Sequence, residues 1–322
     1  MAEVLTVLML IIVLKIIVCG LLLPGRARKQ YFALRAFNAE LASIKDGSDR
    51  RRGGPSEEAG ASLGQRMRFQ WWREALDGLY ANDESGSAAV KNDGQQMGGI
   101  LSSMSTSYGH NPVVRALGRA VQESNLTKRF IERLLDAREA DLDLQQLPTV
   151  DNAIMYAEDT SSSLLYLTLE CCDVREDAAD EVASNVGVGC GLVTAIRSAT
   201  YRAFQGEVSI PAELLKSHLT HDYLLARHDP EYRYDAGDEK VLKDAVQHMA
   251  YVASRVLARA RDSQFDVPKQ GRIAMMAAVP AIHYLERLKE VNYDLFDDRL
   301  HPDQSRLVLL AMMGRTWLTG KF

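Results

Sequence analysis

The stretch KVLKDAVQHMAYVASRVLARAR, residues 240–261, shows how this chain folds. Its apolar residues recur at intervals of three or four positions: Leu242, Val246, Met249, Val252, Ala253, Val256 and Leu257. Because an α-helix has 3.6 residues per turn, this spacing places them on one helix face. The stretch therefore predicts a long amphipathic helix that packs against a protein core.

The same spacing recurs along most of the chain. It predicts further helices at residues 28–46, 62–80, 112–121, 126–135, 151–170, 177–201, 271–291 and 304–318. Ser62, followed by Gln65, fits a capping box, and Asn125 fits an N-cap for the helix that starts at residue 126. No strand-like alternation and no repeat of fixed period accompany these signals. The sequence therefore predicts an all-α fold.

Composition excludes several classes of protein. Of the 322 residues, 47% are hydrophobic and 25% are charged, which is typical of a globular protein rather than a disordered one. With 38 basic and 43 acidic residues the net charge is −5, so no overall basic field exists and we expect no nucleic-acid partner. The four cysteines, Cys19, Cys171, Cys172 and Cys190, are too few for a disulfide framework and are predicted to be buried free thiols.

Two regions depart from the helical pattern. Residues 1–18 contain most of an apolar run, Val4–Leu23, whose only charge is Lys15, and Arg26 follows the run. This segment is interpreted as a membrane anchor, with a soluble helix buried in the core or an artefact of a misassigned gene start as the alternatives. Residues 81–110, rich in Ser, Gly and Asn, are predicted to form a flexible insertion. The remainder, residues 19–322, is predicted to form a single helical domain.

Two glycine patterns could suggest catalysis or nucleotide binding. Residues 60–64 match the G-x-S-x-G pattern of hydrolases, but that chemistry needs a strand before the serine, and here a polar loop precedes Ser62. Gly187, Gly189 and Gly191 lack the G-x-G-x-x-G spacing of nucleotide-binding loops. Inside a predicted helix, such small residues favour close contact with a neighbouring helix.

Six segments resemble conserved segments of the squalene/phytoene synthase family, and they occur in the family's order. They are Leu23–Pro24, Tyr31–Phe37, Gln70–Leu76, Asn111–Leu117, Arg138–Leu142 and Gly206–Pro211. The resemblance implies an isoprenoid-synthase-like helical bundle around a central cavity. Enzymes of this family condense two prenyl diphosphates, and two aspartate-rich helices hold the Mg²⁺ that neutralises the departing pyrophosphate.

Both aspartate-rich motifs are degraded in this chain. Where the family's first motif has its aspartates, this chain has Ala42, Ser43 and Asp46. The second motif reads Arg197, Ser198 and Arg202, so arginine is retained but both aspartates are replaced. Magnesium prefers oxygen ligands, above all carboxylates, and these positions retain a single one. We therefore predict that the chain has no metal or other cofactor and is a pseudoenzyme. The alternative is an active prenyl transferase in which Glu40, Asp46, Glu158 and Asp159 converge on the metal.

Other segments resemble a non-enzymatic branch of this family, which acts in the assembly of mitochondrial respiratory complex I (NADH:ubiquinone oxidoreductase). They are residues 32–38, 125–129 and 160–170. The resemblance implies complex I subunits or assembly intermediates as partners. It also implies a location on the matrix side of the mitochondrial inner membrane, although no clear transit peptide opens the sequence. Arg35, Arg197 and Arg202 could bind a phosphate or the headgroup of an inner-membrane lipid, because guanidinium groups suit phosphate without a metal.

Overall fold

The computed structural model describes residues 16–46, 62–85, 108–226, 235–300 and 306–322. Within these ranges the chain is helical, which confirms the predicted fold class, and its one β-type pairing is an isolated bridge between Gln146 and Val208. The helices are α1 (Gly25–Asp46), α2 (Leu63–Ser85), α3 (Pro112–Ser124), α4 (Lys128–Ala140), α5 (Val150–Ala157), α6 (Ser163–Cys171), α7 (Asp177–Arg197), α8 (Ala199–Phe204), α9 (His221–Ala226), α10 (Ala236–Asp262), α11 (Ala278–Glu290) and α12 (Arg306–Thr319). A short helical segment at residues 16–22 precedes α1.

Helix α7 lies at the centre of the bundle, where it contacts α5, α6, α10 and α11. Its glycines allow this close packing. A Cβ atom at Gly189 would lie 2.8 Å from Cδ2 of Leu257 on α10, and one at Gly191 would lie 3.0 Å from Cα of Ala157 on α5. These distances are shorter than or at the limit of normal carbon contacts. The prediction that these glycines serve close contact between helices is therefore confirmed.

Of the two helix caps predicted from the sequence, one is confirmed and one is wrong. The main-chain N–H of Gln65 donates to Oγ of Ser62 at 3.3 Å, and the N–H of Ser62 donates to Oε1 of Gln65 at 2.8 Å, which is the predicted capping box. The prediction for Asn125 is wrong. Its φ is 50°, so it ends α3 in the left-handed conformation, and Thr127 precedes α4 instead. Asparagine tolerates left-handed backbone well, so the same residue type suits both ends of a helix.

The helix predicted over residues 151–170 is interrupted by one turn. Five residues, Glu158–Ser162, form a π-helical turn between α5 and α6. A π turn inserts an extra residue and therefore shifts the side chains that follow it around the helix axis. Ser162 on this turn is buried and donates to the main-chain oxygen of Ser184 on α7 at 3.1 Å. The turn thus lies directly against α7.

The core also includes the inner faces of α1 and α2. Phe37 on α1 is fully buried and contacts Trp72 on α2 edge-to-face, with ring centroids 5.0 Å apart. The four cysteines are free, and all but the half-buried Cys190 are buried, as the sequence predicts.

Much of the predicted N-terminal segment and insertion lies outside the described residues. Residues 1–15 and 86–107 are not described, so the membrane anchor, the flexible insertion and the single domain stay predictions. Helix α2 continues to Ser85. None of the described helices combines the length and apolarity that crossing a membrane requires.

Candidate functional site

Helix α1 carries the positions of the degraded first motif. Ala42 is half-buried, and exposed Ser43 donates its hydroxyl to the main-chain oxygen of Glu40 at 2.7 Å. Asp46 is the last residue of α1, and its side chain lies outside the described part of the structure. Ala42 and Ser43 thus supply no carboxylate that could bind a metal ion.

The second motif is divided between two helices. Helix α7 ends at Arg197, Ser198 lies at the junction with a ψ of 2°, and Arg202 belongs to α8. The sequence predicted a single helix over residues 177–201, and this prediction is wrong because the helix is interrupted at Ser198. Oγ of Ser198 lies 3.3 Å from the main-chain oxygen of Ala195 and donates to it. Serine forms such local bonds in competition with regular helix, which gives the break a physical reason.

Arg202 and Lys45 form a network of four charges with Asp141 and Glu207. Nζ of Lys45 lies 3.1 Å from Oδ1 of Asp141 and 3.1 Å from Oε1 of Glu207. Nη1 of Arg202 forms an ion pair with Glu207 and lies 4.0 Å from Oδ2 of Asp141. The side chains of Lys45 and Glu207 are only 8% and 6% exposed, so this network lies largely inside the protein. It connects α1 to α8.

These two cations lie at, or next to, positions where the family pattern has metal ligands. Lys45 directly precedes Asp46, and Arg202 replaces the second aspartate of the second motif. Burial lowers the pKa of Arg202, but the charges of Glu207 and Asp141 outweigh it and raise that pKa above its usual range. Arg202 therefore stays protonated. A Mg²⁺ ion needs oxygen ligands with free negative charge, and here internal cations already neutralise the carboxylates, so the donor set does not fit this ion.

Further hydrogen bonds connect Asp141 back to α1. The hydroxyl of Tyr156 lies 3.2 Å from Oδ2 of Asp141, and Nη1 of Arg138 donates to that hydroxyl oxygen at 2.9 Å. Nη2 of the same arginine lies 3.4 Å from Oδ1 of Asn38 on α1. Burial raises the pKa of Tyr156, so this phenol remains a neutral donor. The polar network thus joins α1, α4, α5 and α8.

Sequence reasoning missed the partners in this network. It identified the degraded positions, but not the roles of Lys45, Asp141 and Glu207. A partial signal was present, because Asp141 and Glu207 both lie in segments that carry the family resemblance. Nothing local connects them, since residues 45, 141, 202 and 207 come together only in the folded chain.

Glu158, which the active-enzyme alternative requires, is held by two hydroxyl donors, and its Oε1 lies 3.5 Å from Nη2 of Arg133. The hydroxyl of Tyr166 donates to its Oε1 at 2.6 Å, and Oγ of Ser184 donates to Oε2 at 2.8 Å. Burial raises the pKa of Glu158, but these hydrogen bonds outweigh it and the pKa is lowered. The carboxylate is therefore ionised and already satisfied by protein groups.

The other carboxylates of that alternative have different partners. Asp159 forms an ion pair of 2.7 Å with Arg133, and Glu40 lies 3.9 Å from Arg68 near the surface. Among the residues that the structure describes, no three His, Cys, Asp or Glu side chains are grouped so that they could hold a metal ion.

The three arginines predicted to contact a phosphate have different environments. Arg202 is held in the network above, and the guanidinium of Arg35 lies over the ring of Tyr31, 5.0 Å from its centroid. The side chain of Arg197 makes no ion pair or hydrogen bond with any described residue. Burial lowers its pKa, and burial raises the pKa of nearby Tyr284 to about 12. Arg35 and Arg197 are both half-buried and neither forms an ion pair with a described residue, but Arg35 lies over an aromatic ring, whereas the Arg197 side chain has neither an anion nor a ring among the contacts of the described structure.

Known structures share this fold. A dehydrosqualene synthase crystallised with a ligand superposes with a TM-score of 0.65 at 16% identity, over 94% of this chain and 89% of that one. The squalene synthase HpnC from Alicyclobacillus acidocaldarius superposes with a TM-score of 0.51 at 14% identity, over 86% of this chain and 99% of that one. At these identities the similarity establishes the fold alone.

Sequence comparison identifies more similar relatives. The protein named "NADH dehydrogenase (ubiquinone) complex I, assembly factor 6" from Bos taurus is 31% identical over 304 residues, which are 93% of this chain and 77% of that protein. The Homo sapiens protein of the same name is 29% identical over 300 residues, with the same coverage. Its Drosophila melanogaster homologue is 30% identical over 275 residues, 85% of this chain and 71% of that protein.

The family model described as squalene/phytoene synthase matches residues 16–306, which is most of the chain. This match includes both motif positions and all four charges of the buried network. Together with the helical bundle and the relatives above, it shows that the chain belongs to the squalene/phytoene synthase family.

Proposed function

We propose that this protein is an assembly factor for mitochondrial respiratory complex I, and that it acts without prenyl transfer. The observation that carries the proposal is the identity of about 30%, over 93% of the chain, to proteins named complex I assembly factor 6. Its partners would be complex I subunits or assembly intermediates. Its location would be the matrix side of the mitochondrial inner membrane.

The buried charge network supports the non-enzymatic part of the proposal. Prenyl transfer in this family depends on Mg²⁺ to stabilise the leaving pyrophosphate, which is a large electrostatic contribution to such a reaction. The side chains of Lys45 and Arg202 carry positive charge in this region. They form ion pairs with Asp141 and Glu207. A chain arranged in this way keeps the helical fold while its metal ligands are lost.

Depletion of the protein in the cells that make it should lower the amount of assembled complex I, measured on native gels, and wild-type protein should restore it. Asp46→Asn should restore it equally well, because the proposal gives no metal-binding role to the last aspartate of the first motif. Unchanged complex I after depletion would contradict the assembly proposal. Mg²⁺-dependent consumption of farnesyl or geranylgeranyl diphosphate by wild-type protein, abolished in Asp46→Asn, would establish the enzymatic alternative instead.

We also propose that Arg197 binds the phosphate of a lipid or prenyl ligand. The favouring observation is a half-buried guanidinium that has no ion-pair partner among the described residues and whose pKa burial lowers, and a bound anion would stabilise such a cation. Purified Arg197→Ala should therefore lose phosphate-bearing ligand that wild type retains in native mass spectrometry. Arg119→Ala, an exposed arginine on α3, is the control and should retain it. Equal ligand content in wild type and Arg197→Ala, including none in either, would refute the role of Arg197.

A further inference from the structure

The end of α12 and the segment after α10 form an exposed surface that is both apolar and basic. Phe265 and Trp317 are each 51% exposed and Leu318 is 76% exposed. Lys269 and Arg272 line the same groove as Trp317 and Leu318. We call this surface the C-terminal patch; it consists of Phe265, Lys269, Arg272, Trp317, Leu318 and Lys321.

The cations of the C-terminal patch are not neutralised by neighbouring carboxylates. Arg272 lies over the ring of Phe265, 5.0 Å from its centroid, and Nζ of Lys321 lies 5.8 Å from the same centroid. Neither these two nor Lys269 forms an ion pair with a described residue. Arg261 and Arg315 line the adjoining groove together with Lys321.

Acidic side chains around the patch are fewer than basic ones. Glu286 lines the adjoining groove, and Asp262 and Asp266 flank Phe265 in sequence. Against these three stand Arg261, Lys269, Arg272, Arg315 and Lys321, five basic side chains. The local balance is thus positive in a chain whose net charge is −5.

Another exposed apolar surface lacks this positive charge. At the start of α2, Leu63 and Met67 are 75% and 63% exposed. Their basic neighbours face carboxylates, because Arg66 lies 2.9 Å from Asp143 and Arg68 lies 3.9 Å from Glu40. Exposed apolar side chains alone are common on proteins, so the unpaired cations distinguish the C-terminal patch.

We propose that the C-terminal patch docks onto the surface of an anionic lipid bilayer. Tryptophan and other aromatic side chains favour the interface between headgroups and acyl chains, and exposed leucine gains from entering it. Lysine and arginine at the same surface are attracted to anionic headgroups. This inference rests on the patch and not on the proposed function, and it concerns contact with a bilayer surface rather than a span across it.

A fluorophore at the patch tests the docking directly. The full chain with Leu318→Cys is labelled with an environment-sensitive dye and mixed with vesicles of phosphatidylcholine alone or with added phosphatidylglycerol. Labelling at neutral pH favours the new thiol, because Cys19, Cys171 and Cys172 are buried and Cys190 is half-buried, and burial raises the pKa of Cys171 to about 12 and that of Cys172 to about 11. The dye emission should shift to the blue with anionic vesicles and barely with neutral ones. The matched control, Leu63→Cys, should show no shift.

The charge requirement is tested in the same labelled protein. Lys269→Gln with Lys321→Gln should weaken the anionic-vesicle response by about tenfold or more, whereas Lys240→Gln with Lys289→Gln should leave it unchanged. High salt should reproduce the loss, since it screens exposed charges. Three results would overturn the proposal: vesicle binding with no shift at position 318, an equal shift with neutral vesicles, or an equal loss in the control pair. The first would mean that another part of the chain contacts the bilayer, or that the patch binds a protein.

Discussion

Replacing Lys45 with methionine should lower the free energy of unfolding by about 3–5 kcal/mol, because removing one partner of a buried ion pair leaves uncompensated charge inside the protein. Lys45 is the cation nearest to Asp141, at 3.1 Å, whereas Arg202 is 4.0 Å from that carboxylate. Methionine preserves much of the side-chain volume but removes the charge and the hydrogen bond to the main-chain oxygen of Leu144. Urea unfolding followed by circular dichroism measures the change.

A lysine on the surface provides the matched control. Lys128 also contacts two carboxylates, Asp77 at 2.8 Å and Glu132 at 3.2 Å, but its side chain is 37% exposed. Solvent screens such pairs, so Lys128→Met should change stability by no more than about 1 kcal/mol. A similar loss in both variants would show that the buried network has no special importance.

A second substitution separates the charge effect from packing. Adding Asp141→Asn to Lys45→Met removes one of the carboxylates that the first change leaves uncompensated. The double variant should therefore be more stable than the sum of the two single losses predicts, as expected for residues in one network. Simple additivity would mean that Lys45 and Asp141 are not energetically coupled, so that Lys45 would stabilise the protein through Glu207, the main-chain oxygen of Leu144 or its packing instead.

The helices could be predicted because their signals are local. Apolar spacing and the Ser62–Gln65 capping box depend on residues within a few positions of one another, and both are confirmed. Asn125 was misread because asparagine suits both helix ends, and the sequence does not show that its backbone is left-handed and that its N–H is bonded to the main-chain oxygen of Val121. The π turn at Glu158–Ser162 was not predicted, and its contact with α7 through Ser162 exists only in the folded chain.

For the candidate site, the sequence predicted the loss of the metal-binding aspartates but not the charge network found there. The family resemblance locates Ala42 and Ser198 where aspartates are expected, and that loss is visible in the sequence alone. The compensating charges are not visible there, because Lys45 reaches Asp141 and Glu207 across about a hundred residues of chain or more. From the sequence, Arg202 was predicted to contact a phosphate. In the structure it forms an ion pair with the buried carboxylate of Glu207.

Gly187→Ala should be the second strongly destabilising change, with an expected loss of about 3 kcal/mol or more, at the upper end of typical overpacking effects. A Cβ atom there would lie 2.6 Å from the main-chain nitrogen of Ser162, and closer still to its Cα and Oγ. Because two of these atoms belong to the backbone of the π turn, a rotamer change cannot remove the clash. The turn would have to move away from α7 and break the bond from Ser184 to Glu158.

Gly78→Ala is the matched control, because it makes the same chemical change inside a helix. Nothing lies within 4 Å of the position of its added Cβ atom, and Gly78 is exposed on α2. Alanine is the better helix former by about 1 kcal/mol, so this variant should be slightly more stable than wild type. Urea unfolding of the two variants should thus give changes of opposite sign. If Gly187→Ala were neutral or stabilising, α7 and the π turn could not be in backbone contact, and glycine would be present there for some other reason.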